Sequence, residues 1–144
     1  MQIDGSCHCG EISFRAEADP QGARICHCTD CQALSGSAFR TVVPVEEADF
    51  GLLTGSPKVY VKTADSEYRR VQTFSDTCGS PIYATSERDT ARTFGIRLGI
   101  VRQRGAFVPR RHYWTQSALH WLDRLNEAKK VEGNHRIKGE DRNG

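Results

Sequence analysis

The sequence predicts a mainly β domain closed by a short C-terminal helix, and three observations predict it. Short runs alternate apolar and polar residues, the two-residue period of half-buried strands. Turn-forming groups such as Asp19-Pro20-Gln21-Gly22 and Gly55-Ser56-Pro57 separate these runs. Only after Ser117 does the apolar spacing become helical. Many short strands, frequent turns and one late helix describe an all-β core with a small appendage.

The elements follow in order. Glu11 to Ala18 alternates Ile12, Phe14 and Ala16 with polar residues, a strand. After the Asp19–Gly22 turn, Ala23 to Cys28 is short and extended. Thr29 or Asp30 can cap a helical turn through Leu34, which Gly36 ends. Ala38 to Val45 is a β-branched strand and Ala48 to Leu53 another. Lys58 to Thr63 alternates on Val59 and Val61, and Asp65-Ser66 breaks the chain before a strand at Tyr68 to Phe74. Ser75 to Ser80 is a loop, and Pro81 to Ala84 a short strand. Thr93 to Val101 is the longest β-like run, with Phe94, Ile96, Leu98 and Ile100 on one face. Phe107 to Trp114 is extended, and Ala118, Trp121, Leu122 and Leu125 give a helix to about Lys129. Val131 to Gly144 is polar and glycine-rich. Residues 1–130 therefore read as a single domain and 131–144 as a polar, flexible tail.

The 144 residues suffice for one hydrophobic core, and 38% hydrophobic content is too high for a disordered chain. No apolar run approaches the roughly 18 residues of a membrane helix. Met1 to Gly5 lacks a basic segment leading into an apolar one, so the expected location is cytoplasmic. A net charge of +2 argues against a general polyanion binder. The charge is uneven, because Thr90 to Leu122 carries six arginines and no Lys, Asp or Glu. Most of these arginines are expected on solvated faces, while one or two can hold an anionic substrate.

The six cysteines carry the chemistry, and five fall in the first 31 residues. Cys7-His8-Cys9 and Cys26-His27-Cys28-Thr29-Asp30-Cys31 are too tightly spaced to pair well within themselves. In a cytosolic chain such clusters bind metal or catalyse. Cys7 and Cys9, two apart on an extended segment, would present both thiols on one face. Cys78, in a glycine-containing loop, can join them as in a zinc knuckle. A knuckle normally has Cys-x-x-Cys, but position 75 here is serine, so this site is three thiolates and a gap. Asp76, His8 or water can fill the fourth position. Cys26, Cys28 and Cys31 form a second trio, and three protein ligands plus an open position is the arrangement of catalytic zinc. Thiolate-rich zinc favours a soft ligand such as a substrate thiol. Side-chain alternation turns His8 and His27 away from their flanking cysteines, as packing or supporting groups.

Several motifs together resemble the glutathione-dependent formaldehyde-activating (Gfa) family. They are Gly5-Ser6-Cys7-His8-Cys9-Gly10, Cys26-His27-Cys28-Thr29-Asp30-Cys31 followed by Ser35-Gly36-Ser37-Ala38, Phe74 with Cys78-Gly79-Ser80-Pro81-Ile82-Tyr83, and Pro109-Arg110-Arg111-His112-Tyr113-Trp114. The resemblance covers roughly residues 3 to 122. It implies a β-tent fold of stacked antiparallel sheets with zinc. It implies structural zinc at Cys7, Cys9 and Cys78, with a departure at Ser75, where the family usually has cysteine. It implies catalytic zinc at Cys26, Cys28 and Cys31. The implied activity is that of S-(hydroxymethyl)glutathione synthase, the condensation of formaldehyde with the glutathione thiol, formally a carbon–sulfur lyase in reverse.

The expected function is thus a zinc-dependent carbon–sulfur lyase acting on glutathione or a related thiol adduct, with His27 or His112 as proton donor. The alternative is a zinc-stabilised binding module for protein or nucleic acid, in which the arginines would track phosphates. The small net charge and the lack of aromatics spaced for base stacking weigh against nucleic acid. Cys28 and Cys31 also spell the Cys-x-x-Cys of a redox protein, but without its βαβ surroundings.

Overall fold

The structure, a computed structural model, describes residues 1–63, 68–88 and 91–133. The expected break at Asp65-Ser66 and most of the expected tail lie outside the described residues. Among the described residues ten strands form two sheets. In chain order they are β1 (Gln2–Ser6), β2 (Ser13–Glu17), β3 (Arg24–Cys26), β4 (Arg40–Glu46), β5 (Phe50–Thr54), β6 (Lys58–Thr63), β7 (Arg69–Phe74), β8 (Pro81–Ser86), β9 (Thr93–Arg97) and β10 (Arg111–Tyr113). The small sheet has the order β1-β2-β5 and the large one β10-β3-β4-β9-β8-β7-β6. Neighbours pair antiparallel, apart from β10, which runs parallel to β3.

The core lies between the sheets because each presents one face of its two-residue alternation. Ile3, Phe14 and Ala16 come from the small sheet, and Val43, Val45 and Ile96 from the large one; all are buried. Phe50 stacks on Phe14 at 5.7 Å and meets Tyr83 edge-on at 5.2 Å. Gly5 is where the layers touch. A side chain there would put its Cβ 2.1 Å from the Ile100 carbonyl oxygen, so only glycine lets β1 approach.

The other face of the large sheet is not apolar. Parity on β4 sends Val43 and Val45 to the core and Arg40 and Val42 to the opposite side, while on β9 Phe94 and Ile96 face inward and Gly95 and Arg97 face out. Arg24 and Cys26 of β3 and Arg70 and Gln72 of β7 join this outer face.

Four expectations of local structure are corrected. The segment carrying Cys7 and Cys9 is a tight turn, closed by the Gly10 N–H donating to the Cys7 carbonyl at 3.1 Å, and β1, which precedes it, was not expected from the sequence. Thr93 to Val101 is a strand only as far as Arg97. A 3-10 turn at Leu98–Ile100 then carries Val101 across to bridge Gly5 in the other sheet. In Phe107 to Trp114 the strand is confined to Arg111–Tyr113, since Pro109 has no N–H to give a ladder. The C-terminal helix is the 3-10 segment His120–Glu127 rather than an α-helix. Its Trp121 and Leu125 stay exposed, so no packing supports an α-helix of so few residues. No helix among the described residues is long and apolar enough to cross a membrane.

Candidate metal centres

The trio Cys26, Cys28 and Cys31 is built by a strand end and a helix start. Cys26 closes β3, and Thr29–Ser35 forms α1. The cap of α1 is Cys28 rather than Thr29 or Asp30: its backbone is extended and its Sγ accepts the Cys31 N–H at 3.3 Å. Gly36, at φ 64°, ends the helix as expected. The three Sγ atoms lie within 4.8 Å of one another.

Three thiols this close cannot all ionise without a cation among them. Burial, then the Cys28 side chain, pushes Cys31 up to about 12. Burial also raises Cys26. At Cys28 burial is outweighed by the Cys31 N–H, the neighbouring thiols and Lys62, and the thiol falls below its usual range. The donor set suits a thiophilic metal with an open side.

That open side faces a cavity of about 400 Å³. Arg24, Arg40, Lys62, Arg70 and Arg97 line it with the trio, and no Asp or Glu among the described residues does. Lys62 pairs with Asp30 of α1 at 2.7 Å. Arg40 and Cys26 are register partners across β3 and β4, which brings a cation to the sulfur. Tyr113 and Trp114 form another wall, and Trp114 holds a left-handed backbone, φ 58°.

The second trio, Cys7, Cys9 and Cys78, also brings its Sγ atoms within 4.8 Å of one another. Neither His8 nor Asp76 adds a ligand atom to the set. Ser75 sits fully buried beside it, and its Oγ accepts the N–H groups of Thr77 and Cys78, each at 3.2 Å. The Ser75 and Ser80 hydroxyls and the N–H groups of Cys9 and Ser80 bring Cys78 down to about 5. Ser80 Oγ accepts the His8 N–H at 3.0 Å, which leaves its own proton for the Cys78 sulfur at 3.3 Å. Cys7 and Ile12 pack with Ile82, so this centre pins the β1–β2 turn to the start of β8. All six cysteines are free thiols.

A family model described as glutathione-dependent formaldehyde-activating enzyme matches residues 2–117. The chain belongs to that family. Among solved structures, a Rhodobacter sphaeroides protein is similar, with 18% identity over 76% of this chain and 98% of that one and a TM-score of 0.58. At that identity the likeness concerns the fold. None of the curated proteins compared matches the chain.

In this glutathione-dependent formaldehyde-activating family member, His27 is buried behind the trio. Its Nε2 lies 2.8 Å from His112 Nδ1, its Nδ1 has no partner among the described residues, and neither ring lines the cavity. The arginine-rich stretch after Thr90 does not form one patch. Arg92 pairs with Glu47 and Arg102 with Asp4, while Arg97 reaches the cavity. Arg24, Arg40, Arg70 and Gln72 were not expected from the sequence. The signal was there as arginines in strand parity with Cys26 and Arg97, but it emerges only once the register is known.

Proposed function

We propose that the protein is a zinc-dependent enzyme of the carbon–sulfur lyase type, joining formaldehyde to glutathione or a related thiol. The observation that carries this reading is the Cys26–Cys28–Cys31 trio opening into a cavity walled by cations. The two stacked sheets support the β-tent reading, and six free thiols fit a reducing, cytoplasmic setting.

Zinc held by Cys26, Cys28 and Cys31 would supply a positive charge that favours the thiolate form of a substrate sulfur, and an open position beside it. The chain's own residues do the rest. Arg40 and Arg97 hold an anionic end of the substrate and turn its sulfur toward the trio. Tyr113 and Trp114, both exposed, wall one side of the cavity. In the reaction the sulfur–carbon bond forms as the carbonyl π bond opens, and the proton lost from the thiol ends on the new hydroxyl. The His27–His112 pair lies off the cavity, so it would support the Cys26–Cys28 segment, and the new hydroxyl would take its proton from solvent. Cys7, Cys9 and Cys78 would hold a second, structural zinc with three sulfurs, because Ser75 stands where a fourth would be.

Calorimetric titration of zinc-loaded protein with glutathione tests the reading. Saturation in the millimolar range or tighter is expected, together with condensation of glutathione and formaldehyde that stops in Cys31→Ser. No glutathione binding at millimolar concentration would remove glutathione from the proposal.

A further inference from the structure

Two arginines in the cavity, Arg40 buried and Arg97 half-buried, share one neutral acceptor. Arg40, 5% exposed, donates from Nη1 to Gln72 Oε1 at 3.2 Å, and Arg97 donates from Nη2 to the same oxygen at 2.7 Å. Arg97 Nε is buried with no partner among the described residues. Among the described residues no carboxylate forms an ion pair with Arg40 or Arg97. A buried guanidinium is ordinarily matched by an anion, and two converging on one amide oxygen leave most of their donors unmet. The register explains why they converge. Val42 of β4 is opposite both Arg24 of β3 and Arg97 of β9, and Arg40 follows two residues away on the same face. The fold therefore places like charges side by side on a sheet face that also carries Cys26.

We propose that Arg40, Gln72 and Arg97 form an anion subsite that takes a carboxylate of the substrate, so that the ligand class is a small thiol acid entering carboxylate-first. This rests on the reading of the trio as the thiol site, which it deepens. The guanidinium fork matches a carboxylate in two-point contact, and Gln72 Oε1 draws the two forks to one place. A cationic end has no acidic side chain among the described residues to meet in the cavity. Within a single cavity of about 400 Å³ the carboxylate subsite and the trio can be spanned by one small molecule.

The test is calorimetry on zinc-loaded protein with mercaptosuccinate, succinate and cysteamine, in the wild type and in Gln72→Glu and Arg97→Gln. Gln72→Glu is nearly isosteric and supplies the missing anion from within. It should raise the melting temperature while weakening mercaptosuccinate and succinate by tenfold or more. Arg97→Gln should weaken both acids by a similar factor. Cysteamine, a thiol with an ammonium, should bind at least tenfold more weakly than mercaptosuccinate. The subsite is overturned if both variants leave succinate and mercaptosuccinate binding unchanged, or if cysteamine matches mercaptosuccinate. If mercaptosuccinate binds no more tightly than succinate, while both still respond to Gln72→Glu, the thiol reading of the trio fails and the anion subsite stands.

Discussion

His27 and His112 stack ring on ring, centroids 5.1 Å apart and planes 9° off parallel, with Nε2 of one 2.8 Å from Nδ1 of the other. One nitrogen of that contact must donate and the other accept, so the contact is lost only when both facing nitrogens carry a proton. Burial, and after it the His112 charge, lowers His27 below its usual 6.5. Proton-detected titration of the His27 ring should therefore show a midpoint below 6.5, and His112→Ala should move it up without reaching 6.5, because the larger cause is burial. The unfolded chain binds more protons than the folded one between 6.5 and the folded midpoint. Stability contributed here is thus complete above 6.5 and declines as pH falls through that window. A His27 midpoint at or above 6.5 would show that the ring is not buried as described.

The cysteine grouping was legible because ligand spacing is a local property. Cys26, Cys28 and Cys31 lie within six residues, and Cys7 with Cys9 within three, so the chain itself brings them together. Cys78 was placed with its partners through its glycine loop. The cation wall was not legible in the same way. Arg24, Arg40, Arg70 and Arg97 sit on four different strands, and what unites them is sheet register, a non-local property. The arginine-rich stretch after Thr90 drew attention by density alone, and ion pairing with Glu47 and Asp4 accounts for Arg92 and Arg102. Strand type was readable from alternation at β2, where Phe14 and Ala16 face the core, but not at β1, which sends only Ile3 and a glycine inward. It failed where a strand leaves its sheet, as after Arg97, since no residue-level period announces a change of partner.

Loading the Cys26–Cys28–Cys31 trio should release protons. Cys31 is held up to about 12 and Cys26 above its usual 9.0, so both carry protons at neutral pH in the metal-free protein. Binding as thiolates expels both. Zinc titration of a Cys78→Ser variant, in buffers of different ionisation enthalpy, should give at least two protons per zinc at pH 7. A count below two would mean that the trio is already ionised, and that the crowding of its sulfurs does not govern their acidity.

Gly5 should be the least replaceable glycine of the two-layer contact. An alanine Cβ there lands 2.1 Å from the Ile100 oxygen and 2.7 Å from the Phe14 ring, one a backbone atom and the other a core side chain. Gly5→Ala should cost about 3 kcal/mol, roughly 10 °C in melting temperature. Gly99→Ala meets nothing within 4 Å and should leave the melting temperature nearly unchanged. Equal melting temperatures for the two variants would place β1 farther from Ile100 than described.

Ser75→Cys should complete the second centre. The Ser75 side chain is fully buried at the knuckle, and the Thr77 and Cys78 N–H groups that its oxygen accepts would serve a sulfur equally well. In the wild type that oxygen is engaged by two donors and leaves the cysteines with three sulfurs for a metal that takes four ligands. Zinc measured by elemental analysis, after gel filtration in a mild chelator, should be below two equivalents per chain in the wild type and two in Ser75→Cys. The gain should also appear as stability, because a ligand at a hundred times its dissociation constant adds about 2.7 kcal/mol to the folded state. Chelation should then lower the melting temperature of Ser75→Cys more than that of the wild type. Two full equivalents in the wild type would show that three sulfurs and the Ser75 surroundings already hold zinc firmly, and that the serine is no gap at all.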